Sequence, residues 1–172
     1  MIYNLSLVGI TIAGLILRSV FPRVIRLAWT APDFLVLLVV FNAMFRGTLA
    51  GGVTGFLVGL AEDIFFGRFI GLNALAKCVA GTLTGYLTKS IFKENMWVPV
   101  INVLLGSLLC LSIVFIFGQL AGARWYLSNI LFQSFFEVLF NVCLVPFVYG
   151  PFFQFADRQL NLTEAVETGE GE

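Results

Sequence analysis

The groups in this sequence that could do chemistry are few, and their surroundings are apolar. Glu62 and Asp63 stand side by side near the end of one apolar run, and Lys77 lies in the next. Gln133, Glu137 and Asn141 recur at every fourth position of a later run, and Asn102 interrupts another. Ionised side chains inside a bilayer cost several kcal/mol unless they are paired or close to water, so each marks a functional-site hypothesis. Two chemistries fit the acidic pair. Ion pairing to Arg68 or Lys77 would pin a helical hairpin; a cluster left open would be a binding or coupling site. With the turn at Gly67 to Gly71, Asp63 and Lys77 fall at nearly the same level of an antiparallel hairpin, at about 1.5 Å per residue. The stripe Gln133–Glu137–Asn141 must look toward protein or a water-filled cavity. A cavity of that kind would suit a ligand or coupling ion, as in a transporter.

Other chemistries are excluded. The chain has no His, which removes Ser-His-Asp and Cys-His catalysis and imidazole metal sites. Cys78, Cys110 and Cys143 lie in apolar runs without CxxC spacing and read as reduced packing residues. Ten Lys+Arg balance ten Asp+Glu, leaving no basic surface for nucleic acid. No phosphate loop or nucleophile beside its base is present, so no catalytic residue, cofactor or metal is expected.

The elements that position these groups are membrane helices. Hydrophobic residues make up 59% of the 172 residues and charged residues 12%, against roughly 45–50% and 25% in soluble domains. Nineteen residues are Phe, and mean hydropathy is +0.97. The composition predicts an all-α, polytopic membrane helical bundle of the inner-membrane type. Six apolar runs are candidates to cross the membrane: Ile2 to Leu17, Phe34 to Phe45, Thr48 to Phe66, Leu72 to Thr88, Trp97 to Leu120 and Leu127 to Phe153. A crossing needs about 20 residues. The second run is therefore the shortest candidate and spans only with Trp29 to Asp33 as its interfacial end. Trp29, Trp97, Trp125 and Tyr126 fall at run ends, where amphipathic rings prefer the headgroup layer. Pro146 is expected to bend the sixth helix. The first run lacks a basic leader and an A-x-A-like cleavage site, and reads as a retained span. Residues 156–172 are acidic and Gly-containing, the composition of a disordered tail after a membrane domain of residues 1–155. With a cytoplasmic N-terminus, the inner segments carry Arg46, Lys89, Lys93 and Arg158. The outer ones carry Arg18, Arg23, Arg26, Arg68 and Arg124, so charge leaves orientation near a tie.

Gly47, Gly51, Gly55 and Gly59 form a series at every fourth residue, flanked by Ala50 and Gly52, with Gly81 and Gly85 on the following run. Small residues let membrane helices approach closely, where lipid supplies no hydrophobic drive to associate. The series reads first as packing inside the bundle and second as a docking face for a partner.

Taken in order, these residues resemble one family. Ala31-Pro32-Asp33 opening a helix, Arg46-Gly47 closing it, and GFLVGLAEDIFFGRFIGLNALAKCVAGTLTGYL over Gly55 to Leu87 are similar to MreD, the rod-shape-determining membrane proteins. The correspondence runs through Pro32 and Asp33, Arg46 and Gly47, Asp63, Gly67, and Gly71 to Leu75 with Asn73. Asn141 and Pro146 match the family's ending. It covers roughly residues 1–155 and is strongest over 31–88. Arg18 stands where the family often has Gln, Lys77 charges a span that is usually apolar, and Glu62 adds a second acid. The resemblance implies a non-catalytic scaffold of bacterial wall elongation in the inner membrane, with both termini cytoplasmic. The implied partners are MreC above all, then MreB, RodA and a penicillin-binding transpeptidase. It also implies a fold similar to the six-helix substrate-binding component of energy-coupling-factor transporters, and so an alternative role as a vitamin- or metabolite-binding subunit. On the scaffold reading, the Gly47–Gly59 face and the Asp63–Asn73 hairpin would shape the surface or cavity that engages a partner, MreC above all.

Overall fold

The computed structural model describes residues 2–24, 33–66, 69–88, 97–122, 132–150 and 152. All regular structure among them is helical: α1 (Ile2–Val24), α2 (Phe34–Arg46), α3 (Thr48–Phe66), α4 (Leu72–Thr88), α5 (Trp97–Leu120) and α6 (Phe132–Gly150). Three of these, α3, α5 and α6, are long and apolar enough to cross a membrane. The bounds of α3, α4 and α5 coincide with their apolar runs. Trp97 opens α5 and is exposed, as a headgroup-level ring would be. Pro32, Gly67, Arg68, Trp29, Trp125, Tyr126 and the tail at 156–172 lie outside the described residues.

The centre of the bundle is its shortest helix. Every residue of α2 from Leu35 to Met44 is buried, on all sides of the helix, and its 13 residues span about 20 Å against the bilayer's roughly 30 Å hydrocarbon core. A helix apolar all round belongs in an interior, and here the other five enclose it. Asp33 starts α2 by accepting from the backbone N–H of Leu35 and Val36, at 3.1 and 3.2 Å. Gly47 ends it at φ +86°, a backbone conformation that L side chains rarely adopt, and turns the chain directly into α3.

The neighbours of α2 are set by small residues and rings. Gly14 of α1 lies against Leu35, and Gly106 of α5 against Val40, each so close that an added Cβ would sit 2.9 or 2.8 Å from the facing methyl. Phe41 meets Tyr149 edge-on at 5.5 Å and Phe152 at 5.6 Å, while Phe45 stacks on Tyr149 at 6.1 Å. α6 therefore runs beside α2 in a constant register, Asn141 level with Asp33 and Tyr149 with Phe41. The closest helix pair is α3 with α4. Outward faces carry exposed Phe56, Phe65, Phe66, Leu104, Phe132, Phe135 and Phe147, apolar groups suited to a lipid surrounding.

The end of α1 differs from the sequence expectation. The first run was expected to stop at Leu17, before Arg18, but α1 continues to Val24. A charge ends a membrane helix only when it must reach water. Arg18 instead finds carboxylates inside the bundle, so the helix carries it inward. This also removes Arg18 from the loop charges weighed for orientation.

Candidate functional site

Four charged side chains from four elements meet at one level of the bundle. Asp33, the cap of α2, lies 3.1 Å from the Arg18 guanidinium and 2.9 Å from Lys77 Nζ. Glu62 of α3 lies 2.6 Å from Arg18 and 2.5 Å from Lys77. Each cation thus bridges both carboxylates, and the set is electrically neutral. Asp33, Glu62 and Lys77 are almost fully buried, whereas the Arg18 side chain keeps 29% of its surface exposed. In a low dielectric, separation of any one member leaves an uncompensated charge, so the four behave as a unit.

The polar stripe of α6 leads into this cluster. Gln133 is exposed, Glu137 half-buried and Asn141 fully buried. Asn141 accepts from the Asp33 backbone N–H at 2.9 Å and donates to Ser107 Oγ of α5 at 3.0 Å. Glu137, one turn earlier, lies within the electrostatic field of Arg18, Lys77, Asp33 and Glu62. Residues of all six helices therefore converge on the start of α2.

Asp63 is not part of the cluster, and the expected Asp63–Lys77 pair does not form. Its carboxylate accepts from the N–H groups of Gly71 at 2.8 Å, Asn73 at 3.3 Å and Ala74 at 3.1 Å, and from the Asn73 amide side chain at 2.8 Å. The physical reason is twofold. Adjacent residues on a helix point about 100° apart, so Glu62 and Asp63 face different neighbours. The first turn of α4 also presents unpaired N–H donors and the positive end of its dipole, which satisfy a carboxylate without a cation. Gly71, at φ +103°, makes the turn that aims those donors. The hairpin is fastened by Asp63, but through backbone.

The glycine series faces α4 and is covered by it. An added Cβ at Gly55 would fall on the Lys77 carbonyl oxygen, at Gly59 on the Asn73 carbonyl and 2.6 Å from Ala74 Cα, and at Gly51 on Ala43 Cβ. From the other side, Gly85 would meet the Gly47–Thr48 backbone at 2.6 Å and Gly81 the backbone of Gly51. The seam is intramolecular, so Gly51, Gly55 and Gly59 offer no open docking face in this structure. Gly47 differs from the other three: a Cβ added to it would meet nothing within 4 Å, and its positive φ is what the turn requires.

From the sequence Arg18 reads as a run-ending loop charge and not as a member of the cluster, although a signal for that place exists. Once Asp63 is satisfied by backbone, the remaining buried carboxylates outnumber Lys77, and Arg18 is a cation inside an apolar stretch. Its pairing, and that of Ser107 with Asn141, depends on helix order in space. Asn102, weighed as a ligand group, donates instead to Thr88 Oγ1 at 3.2 Å. Among the described residues no group of three or more His, Cys, Asp or Glu could hold a metal.

Comparison with known proteins decides the family. The family model for the rod shape-determining protein MreD matches residues 1–155. The chain belongs to the MreD family. Membership assigns it a role in determining rod shape, within a family of non-enzymatic membrane proteins. No curated protein and no solved structure matches the chain. Within this MreD, Arg18, Glu62 and Lys77 assemble around Asp33.

Proposed function

We propose that this MreD is a non-catalytic scaffold of the bacterial wall-elongation machinery. It lies in the cytoplasmic membrane with both termini cytoplasmic and binds MreC. Through that complex it associates with MreB, RodA and a penicillin-binding transpeptidase. The match over residues 1–155 carries this reading. Its polar chemistry agrees: Asp33, Glu62, Lys77, Asn102 and Asn141 are consumed by contacts within the bundle, which suits a body that presents surfaces rather than one that turns over a substrate.

A metabolite-binding subunit similar to the energy-coupling-factor component would need several polar groups converging on an open pocket. Cavities of about 660, 620 and 200 Å³ lie along the helices, and their linings are mostly apolar, without Asn102, Gln133, Glu137 or Asn141. Asn102 and Asn141 are instead engaged with Thr88 and Ser107 inside the bundle, which supports the scaffold. The test is a mild-detergent purification of the tagged protein from its native cells, with mass spectrometry of proteins and small molecules. Recovery of MreC with wall-synthesis enzymes is expected; recovery of an ATPase pair and a bound metabolite would overturn the reading.

A further inference from the structure

Glu137 stands beside the charge cluster without a place in it. Arg18 and Lys77 are each shared between Asp33 and Glu62, so a third carboxylate sets three acids against two cations at this end of the bundle. Among the described residues Glu137 makes no hydrogen bond and no ion pair, and neither does Gln133, one turn earlier on the same face of α6. Both can be reached from outside: Gln133 is exposed and Glu137 half-buried, and exposed Phe140 lies on the same face.

The depth of Glu137 follows from α5. Trp97 marks headgroup level at one end of that helix. Ser107, ten residues on, lies about 15 Å further in, near the middle of the bilayer. Asn141 donates to Ser107 and shares its level. α6 returns from the end of α5 that lies across the membrane from Trp97, so Glu137 is about 6 Å beyond the middle and about 9 Å inside the hydrocarbon on that side. A lipid headgroup amine does not reach that depth, and an unpaired carboxylate there costs several kcal/mol. A proton would remove the charge but leave the acid and the Gln133 amide without hydrogen-bond partners in hydrocarbon, a cost of its own. One basic side chain on a neighbouring membrane helix supplies the missing charge and donors for both groups, and polar contacts of this kind hold membrane helices together. Two copies of this chain meeting symmetrically here would set Glu137 against Glu137, so the occupant is another protein. We propose that the Gln133–Glu137–Phe140 face of α6 docks a transmembrane helix of a partner protein, one that carries a lysine or arginine about 9 Å inside the hydrocarbon on the side where α6 begins. This adds a contact surface to the scaffold reading and rests on it.

The test uses the full-length protein in phosphatidylcholine vesicles with a synthetic Leu/Ala transmembrane helix bearing one Lys at that depth, or Leu in its place. Association is read by energy transfer from a fluorophore on the peptide to one on a C-terminal tag. The Lys peptide is expected to associate about tenfold more tightly than the Leu peptide. Glu137→Gln, which changes charge but barely shape, should bring the two peptides to parity. Gln133→Leu, at an exposed position, should lower the preference about threefold and gives a reading even if Glu137→Gln fails to fold. Equal association of both peptides with the unmodified protein, the result for a carboxyl group satisfied by a proton, would overturn the proposal. So would an undiminished preference in folded Glu137→Gln or in Gln133→Leu. The peptide reads this surface alone, so the assay can fail where MreC is recovered and succeed where it is not.

Discussion

Two cations and two carboxylates buried in one contact are stable only together, and this makes a specific prediction. Lys77→Met leaves Glu62 and Asp33 to share the partly exposed Arg18, and should cost about 3–5 kcal/mol of stability, as breaking a buried pair does. Glu62→Gln alone should also destabilise. Combining them restores neutrality and leaves the Arg18–Asp33 pair at 3.1 Å in place, so the double variant should recover most of the loss. Thermal unfolding in detergent, analysed as a double-mutant cycle, measures this coupling; additive losses would contradict it. At this scale the sequence was half legible. The buried charges announced themselves by lying in apolar runs, but their partners did not. Glu62 and Asp63 are neighbours in the chain and face different directions, and Arg18 and Asp33 reach their partners across helices whose order the sequence does not state.

At the scale of elements, the α3–α4 seam and the start of α4 carry the predictions. Gly55→Ala has no space to occupy, since its Cβ would fall on the Lys77 carbonyl. It should lower stability by about 1–3 kcal/mol. Gly9→Ala, on α1 with nothing within 4 Å of the added atom, should cause no loss. Comparison of the two melting temperatures checks whether contact or glycine content matters. Asp63→Ala removes the acceptor of the first α4 amides and should cost about 1–2 kcal/mol. Its specific mark is faster hydrogen exchange at Gly71, Asn73 and Ala74; uniform acceleration along the chain would indicate a different role. Element positions were largely legible, because glycines and charges bound the apolar runs of α3, α4 and α5. α1 was misjudged where an internal arginine resembled a helix end. The central position of α2 had one sign, an apolar run too short to cross alone.

For the whole molecule, charge and glycine contacts lock six helices into one body, and under the proposed scaffold function the shape of that body, rather than its chemistry, serves wall elongation. The scaffold reading then requires that cells tolerate loss of two charges so long as the body stays assembled. The direct measurement is cell shape after depletion of the native copy, with this chain, Lys77→Met, or Glu62→Gln combined with Lys77→Met supplied in its place. Membrane levels of each variant are followed by immunoblot. The account predicts rods with the unmodified chain and with the double variant, and rounded cells with reduced protein for Lys77→Met. Rounded cells containing the double variant at full membrane level would contradict it, because the charges themselves would then be needed for function.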